Sequence, residues 1–356
     1  MMQFLPGSVR LFLFVSFCCL ISAEAGAAVT GPCGNCHTMH NSQDGKTAGS
    51  AAYGTGNDRL LRTDCVGCHS SATGDTIITT GGGYLPIVFN TNAYPAQPLA
   101  GGNFYYTNLG DSVNDQYGHN VLGIANPDLN IPHVPGKGYG GLPKTITECI
   151  GCHQVFTNSP FMYARPGNVL ICIDCHVFPK HHADDSATVV GAAGGWYRFI
   201  DEVSGIEDDD WEQTVGVADH NEYQGEIVKD GGSMSDWGCM CHNDFHALVN
   251  PSGVGVASPW LRHPSDIALP SVGEYAGYTV YDPQVPVARP DLSGYGAPSA
   301  TVTPGTDQVM CLSCHRAHGS DQPDMLRWPY IAMLTDDPSN PAVGTGCFVC
   351  HSTKDG

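Results

Sequence analysis

The chain has 356 residues and a formal charge of −20, from 15 Lys and Arg against 35 Asp and Glu, with only 14% charged residues. That balance excludes a protein built to bind phosphate backbones, which are held through Lys and Arg. The 44 Gly and 25 Pro exclude a coiled coil or helix bundle. Leu, Ile, Val and Phe are sparse for large apolar cores, so something other than aliphatic side chains must fill the interior.

The first 25 residues read as a secretory signal. Arg10 precedes an apolar run from Leu11 to Ile21, and small residues follow around an Ala23-Glu24-Ala25 cleavage site. The run is short for a bilayer span, and the bulky Phe17 before Cys18 argues against lipidation. Residues 26–356 are therefore expected to be one exported domain without a transmembrane segment.

Cysteine then organises the rest of the chain. Six pairs have the form C-x-x-C-H: Cys33/Cys36-His37, Cys65/Cys68-His69, Cys149/Cys152-His153, Cys172/Cys175-His176, Cys311/Cys314-His315 and Cys347/Cys350-His351. A seventh, Cys239-Met240-Cys241-His242, is one residue shorter. C-x-x-C-H is the attachment motif of c-type haem. Two thiols reach the two vinyl groups of one porphyrin, and the adjacent imidazole meets the iron. A disulfide framework or a row of zinc sites does not require His after every pair. Seven haem c groups are expected, with His37, His69, His153, His176, His242, His315 and His351 as proximal ligands.

Nine further histidines remain for seven irons. The expected distal ligands are His40, His119, His182, His220, His246, His263 and His318, with His133 and His181 as alternates. Bis-imidazole ligation closes both iron positions, which suits electron transfer and not substrate binding. His40, His246 and His318 stand three or four residues behind a proximal His, on an expected short helix. None can curl round to its own porphyrin, so each must reach a different haem and link two of them.

Between the motifs the chain is rich in turn signals, such as Gly81-Gly82-Gly83 and Gly101-Gly102. Short strands are expected at 84–89 and 278–281. The acidic run Glu207-Asp208-Asp209-Asp210 reads as a solvated face in preference to a Ca²⁺ site. The mature chain allots roughly 47 residues to each motif, too few for separate cores. The expected fold is mostly irregular coil with short helices and few short strands, wrapped around a continuous haem stack, with Tyr and Phe packed about it.

The wording of several segments resembles the filament-forming extracellular multihaem cytochromes, the OmcS-like cytochrome nanowires. These segments are Cys33-Gly-Asn-Cys36-His37-Thr-Met-His40-Asn-Ser, Gly118-His119-Asn120, Met234-Ser-Asp-Trp237, Trp260-Leu-Arg-His263-Pro264, Cys311-Leu-Ser-Cys314-His315-Arg-Ala-His318-Gly-Ser and Cys347-Phe-Val-Cys350-His351. The resemblance implies a head-to-tail homopolymer in which His40 ligates the haem on the next chain's Cys311/Cys314 motif. Two departures stand out. The family has six haems, and Cys172–His176, followed by Trp196-Tyr-Arg-Phe-Ile, is similar to its third, which makes Cys149–His153 an insertion. The family also has a regular motif at Cys239-Met-Cys241. One of His133, His181, His182 and His220 is expected to serve the added haem.

The expected function is a secreted, cell-surface electron conduit, not an enzyme, exchanging electrons with other redox proteins or extracellular acceptors. A soluble periplasmic multihaem shuttle and a multihaem oxyanion reductase are the alternatives. The reductase requires one five-coordinate iron.

Overall fold

The computed structural model describes residues 32–38, 42–43, 46–47, 60–61, 65–80, 83–109, 112–121, 123–126, 170, 172, 175–176, 181, 197, 200, 203–225, 233–239, 242, 263–333 and 344–353. The segment 1–25 lies outside these residues. So do His40, His133, His153, His182, His246, Cys149, Cys152 and Cys241.

Most of the described chain is irregular. Its α-helices are one or two turns long: α1 (Cys65–Cys68), α2 (Met234–Cys239) and α3 (Cys347–Cys350). Single 3₁₀ turns cover Cys33–Asn35 and Cys311–Ser313. Among the described residues no helix is long and apolar enough to cross a membrane.

Among the described residues, eleven short strands pair in three two-stranded ladders and one five-stranded sheet. Strands β1 (Ser42–Gln43) and β2 (Lys46–Thr47) form one ladder, and β3 (Ser70–Ser71) pairs in parallel with β6 (Phe89–Asn90). The hairpin β4 (Ile77–Thr80) and β5 (Gly83–Pro86) turns over the glycine run read as a turn. The strand expected at 84–89 is thus split between β5 and β6. At 278–281 a single bridge, Val280 to Thr301, takes the place of a strand.

The largest sheet has five strands, β7 (Gly205–Ile206), β8 (Glu222–Gln224), β9 (Ile267–Ala268), β10 (Ala288–Arg289) and β11 (Gln308–Val309). Their order across the sheet is β7-β8-β10-β11-β9. Only β8 and β10 run parallel.

Three small apolar clusters replace a single core, and aromatics carry them. The first gathers Tyr278, Tyr281, Val285, Val287 and Trp328; the second Tyr197, Tyr223, Met234 and Met310; the third Phe89, Phe104, Val121 and Ile124. Motif residues pack on all three: Cys314, Cys347 and Cys350 on the first, Leu312 on the second, Val66 and Cys172 on the third.

A buried ionic network pins the five-stranded sheet. The Arg289 guanidinium, 1% exposed, donates to both Glu222 oxygens at 2.7 and 3.1 Å and to Asp307. The Ser299 and Thr303 amides satisfy the remaining carboxylate lone pairs at 2.7 Å each. Burial works to raise Glu222. The hydrogen bonds from His220 and Arg289, with the guanidinium charge, outweigh it and hold Glu222 below the usual carboxylate range. Removing Arg289 would strand two buried carboxylates. Arg289→Leu is expected to cost about 3–5 kcal/mol in denaturant unfolding.

The acidic run is not a solvated face throughout. Asp208 is 8% exposed and its Oδ2 accepts the Asp210 and Glu212 amides at 3.3 and 2.8 Å, closing a tight turn. Desolvation is the largest cause that pushes Asp208 up to about 7, with Asp210 adding to it. The folded state therefore holds its proton over a pH range where the unfolded chain, at 3.8, has released it. This contribution to stability is present at low pH and is lost as pH rises through about 7. Asp208→Asn is expected to flatten that fall in a pH series of thermal melts, and an unchanged slope would contradict the assignment.

Candidate haem-binding sites

The C-x-x-C-H spacing has a local structural cause. In each described regular motif the His amide donates to the first cysteine's carbonyl: His37 to Cys33 at 2.8 Å, His69 to Cys65 at 2.8, His176 to Cys172 at 2.9, His315 to Cys311 at 3.1 and His351 to Cys347 at 3.0 Å. One helical turn is closed, so positions i, i+3 and i+4 share a face. Both thiols and the imidazole leave the backbone on that face. The turn covers the cysteines themselves, and beyond His315 the chain bends in place of the short helix expected there; the segments carrying His40 and His246 lie outside the described residues. In sequence the short motif has its second cysteine at i+2, without the i+3 spacing of the others. Cys239 closes α2.

Desolvation, reinforced by neighbouring cysteines, pushes Cys314 and Cys350 up to about 12, and both pack against the first apolar cluster.

The imidazoles come in pairs. Ring centroids lie 6.3 Å apart for His69 and His181, 6.2 Å for His119 and His242, 6.0 Å for His176 and His318, and 6.2 Å for His263 and His351. Each pair joins one motif His to one His outside that motif. Two imidazoles on opposite sides of one metal, with metal–nitrogen bonds of about 2.0 Å and ring centres about 1.1 Å further on, have centroids about 6.2 Å apart. The spacing therefore fits a six-coordinate iron in each pair. His318 faces His176 and not its sequence neighbour His315, as expected of a residue unable to reach its own porphyrin.

The second ring nitrogen is anchored as metal-bound histidines require. The Nδ1–H groups of His69, His119, His263 and His315 meet the carbonyls of Pro86, Ala317, Pro264 and Asp324 at 2.7–2.8 Å. This fixes the tautomer and leaves Nε2 with its lone pair. Burial holds all four below the ordinary imidazole value, so they are neutral. His351 instead places Nδ1 3.3 Å from Glu274.

His220 is arranged differently from a distal ligand. Its Nδ1 meets the Gly216 carbonyl at 3.1 Å and its Nε2 meets Glu222 at 3.2 Å. The ring stacks on Tyr281 at 3.5 Å and is fully buried. Nε2 joins the ionic network of the sheet through Glu222, and Nδ1 is held by the Gly216 carbonyl. His181, read as an alternate, faces His69, and His182 lies outside the described residues.

Sequence reasoning missed the carbonyl acceptors, because any residue type supplies a carbonyl. It also missed Phe104, whose ring lies 4.9 Å from His318. Its adjacency to Gly101-Gly102 was the only local cue.

A family model described as "Doubled CXXCH motif" matches residues 303–356, which contain the last two regular motifs. The C-type cytochrome OmcS of Geobacter sulfurreducens is 25% identical over 397 aligned residues, covering 92% of this chain and 87% of OmcS. By sequence, this chain is similar to OmcS, and its motifs are those that attach c-type haem. Two solved structures, the Outer Membrane Cytochrome S filament and the OmcS nanowires, both of Geobacter sulfurreducens, match at 20% identity and a TM-score of 0.47. The first match covers 85% of each chain and the second 93% of this chain and 92% of the other.

Substitutions separate the two kinds of histidine in this OmcS-like chain. His318→Gly is expected to convert one haem's share of the low-spin electron paramagnetic resonance signal to high spin. His220→Asn should leave that signal whole while lowering the unfolding temperature. The reverse pattern would exchange their roles.

Proposed function

We propose that this chain is an extracellular electron conduit that carries electrons along stacked bis-imidazole haems and polymerises head to tail through His40. The observation that carries the reading is the set of four imidazole pairs at 6.0–6.3 Å. Haem, when attached, supplies an iron that accepts and releases one electron with little change in its ligation. The chain's residues hold that geometry. Cys33, Cys36, Cys65, Cys68, Cys149, Cys152, Cys172, Cys175, Cys239, Cys241, Cys311, Cys314, Cys347 and Cys350 tether seven groups. The seven adjacent histidines supply one axial nitrogen each, and His119, His181, His263 and His318 supply the second for four of them. His40, His133, His182 and His246 remain for the other three.

Contacts between motifs support a continuous path. Val66 and Cys172 pack on one apolar cluster, which brings the Cys65 and Cys172 motifs together. The Trp237 indole, on α2, donates to the Cys175 carbonyl at 3.3 Å. Trp237 and Leu312 share the second cluster, and Cys314, Cys347 and Cys350 share the first. The motifs therefore follow one another as Cys65, Cys172, Cys239, Cys311 and Cys347.

Polymerisation is supported by His315. Its Nδ1 is anchored on the Asp324 carbonyl, which leaves Nε2 for the haem of the Cys311/Cys314 motif. This is the haem whose second ligand the family resemblance assigns to His40 of a second copy. Such a contact does not close on itself, so it propagates. The −20 charge would steer basic redox partners.

Electron microscopy and size exclusion of native material test the reading. Wild type is expected as filaments, and His40→Ala as monomers with one high-spin haem each. Monomeric wild type would overturn polymerisation and favour a soluble shuttle. A pyridine haemochrome assay is expected to count seven haems per chain.

A further inference from the structure

Two of the paired imidazoles grow from one backbone crossing. Gly102 bridges Gly319 in parallel, and Gly118 bridges the same residue in antiparallel sense, so three segments meet there. Hydrogen bonds run across the crossing from the Asn103 amide to the Gly319 carbonyl at 3.0 Å, from the His318 amide to Gly101 at 2.7 Å and from the Ser320 amide to Tyr117 at 2.9 Å. No Cβ fits at its centre. At Gly118 it would stand 2.6 Å from the His318 carbonyl oxygen and 3.2 Å from the Gly319 Cα. At Gly319 it would stand 2.7 Å from the Tyr117 carbonyl oxygen, and at Gly102 it would overlap the Gly319 carbonyl.

The chemistry lies one residue away on each strand. His119 follows Gly118 and faces His242, while His318 precedes Gly319 and faces His176. The antiparallel register sets His119 opposite His318, and the His119 Nδ1–H bond to Ala317 crosses the same gap at 2.7 Å. Two imidazoles for two different irons are therefore locked to the two sides of one rung, next to the Gly118–Gly319 rung whose spacing glycine keeps at its minimum.

We propose that the Gly102–Gly118–Gly319 crossing is a positioning device that sets the separation of the haems carried by His176 and His242. Gly101 serves the same end by leaving room for the His318 ring, whose Nδ1 would lie 2.9 Å from an added Cβ. Electron tunnelling falls off exponentially with distance, so widening this crossing would slow transfer between these two centres. The proposal rests on the bis-imidazole reading above.

Three variants of the haem-loaded full chain test it. Gly118→Ala forces the two strands apart. Gly101→Ala presses on the His318 ring alone, at an ordinary φ, and so retains the backbone. Gly305→Ala is the control, a strained substitution (φ +92°) away from the crossing, whose added Cβ meets Ser271 at 3.1 Å. Circular dichroism of the Soret band reads haem–haem coupling, and electron paramagnetic resonance reads the low-spin population. Gly118→Ala is expected to lose most of one couplet's amplitude, and Gly101→Ala to shift or lose one haem's low-spin signal. Gly305→Ala should match wild type in both. Wild-type spectra for both Gly118→Ala and Gly101→Ala, with only a melting shift like that of Gly305→Ala, would overturn the proposal. If Gly118→Ala does not fold, Gly101→Ala decides alone. A wild type that itself lacks low-spin signals would instead refute the bis-imidazole reading beneath it.

Discussion

The described structure hangs on one hydrogen bond, from the histidine amide of each described C-x-x-C-H motif to the carbonyl of its first cysteine. The bond closes a single helical turn and turns a linear spacing into a face that carries two thiols and an imidazole. An isolated turn of this length is marginal in water. It gains its stability from packing, and the motif cysteines lie against small aromatic clusters that no long helix or wide sheet encloses. The protein is accordingly a set of short turns braced against one another.

Bracing of this kind needs rigid points between the motifs, and two differ in chemistry. One is ionic. Arg289 ties β8, β10 and the Asp307 turn together, with His220 completing the network. The other is steric. At Gly102, Gly118 and Gly319 three backbones approach more closely than any side chain permits. The first holds a sheet in register, and the second sets where two imidazoles begin.

Histidine illustrates how context divides a single residue type. His69, His119, His263 and His315 present Nδ1 to carbonyls and keep Nε2 for a metal, whereas His220 spends both nitrogens on the protein. Glu222, two residues on, takes Nε2, but a carboxylate at that spacing does not announce it, and Tyr281 stacks on the ring from across the fold. Likewise Asp208 belongs to an acidic run that composition alone assigns to solvent, and only its turn buries it.

Sequence alone determined the attachment chemistry, the irregular fold class and the OmcS likeness, because each rests on local spacing. The five residues from the first cysteine to the histidine dictate their own turn, and a chain rich in Gly and Pro does not favour long elements. Tertiary structure decided which histidines face one another. Those pairs join residues far apart in the chain, such as His119 with His242 and His176 with His318. Their partners are chosen by where a backbone carbonyl waits for Nδ1 and by how closely glycines let strands approach, and neither leaves a mark in residue spacing.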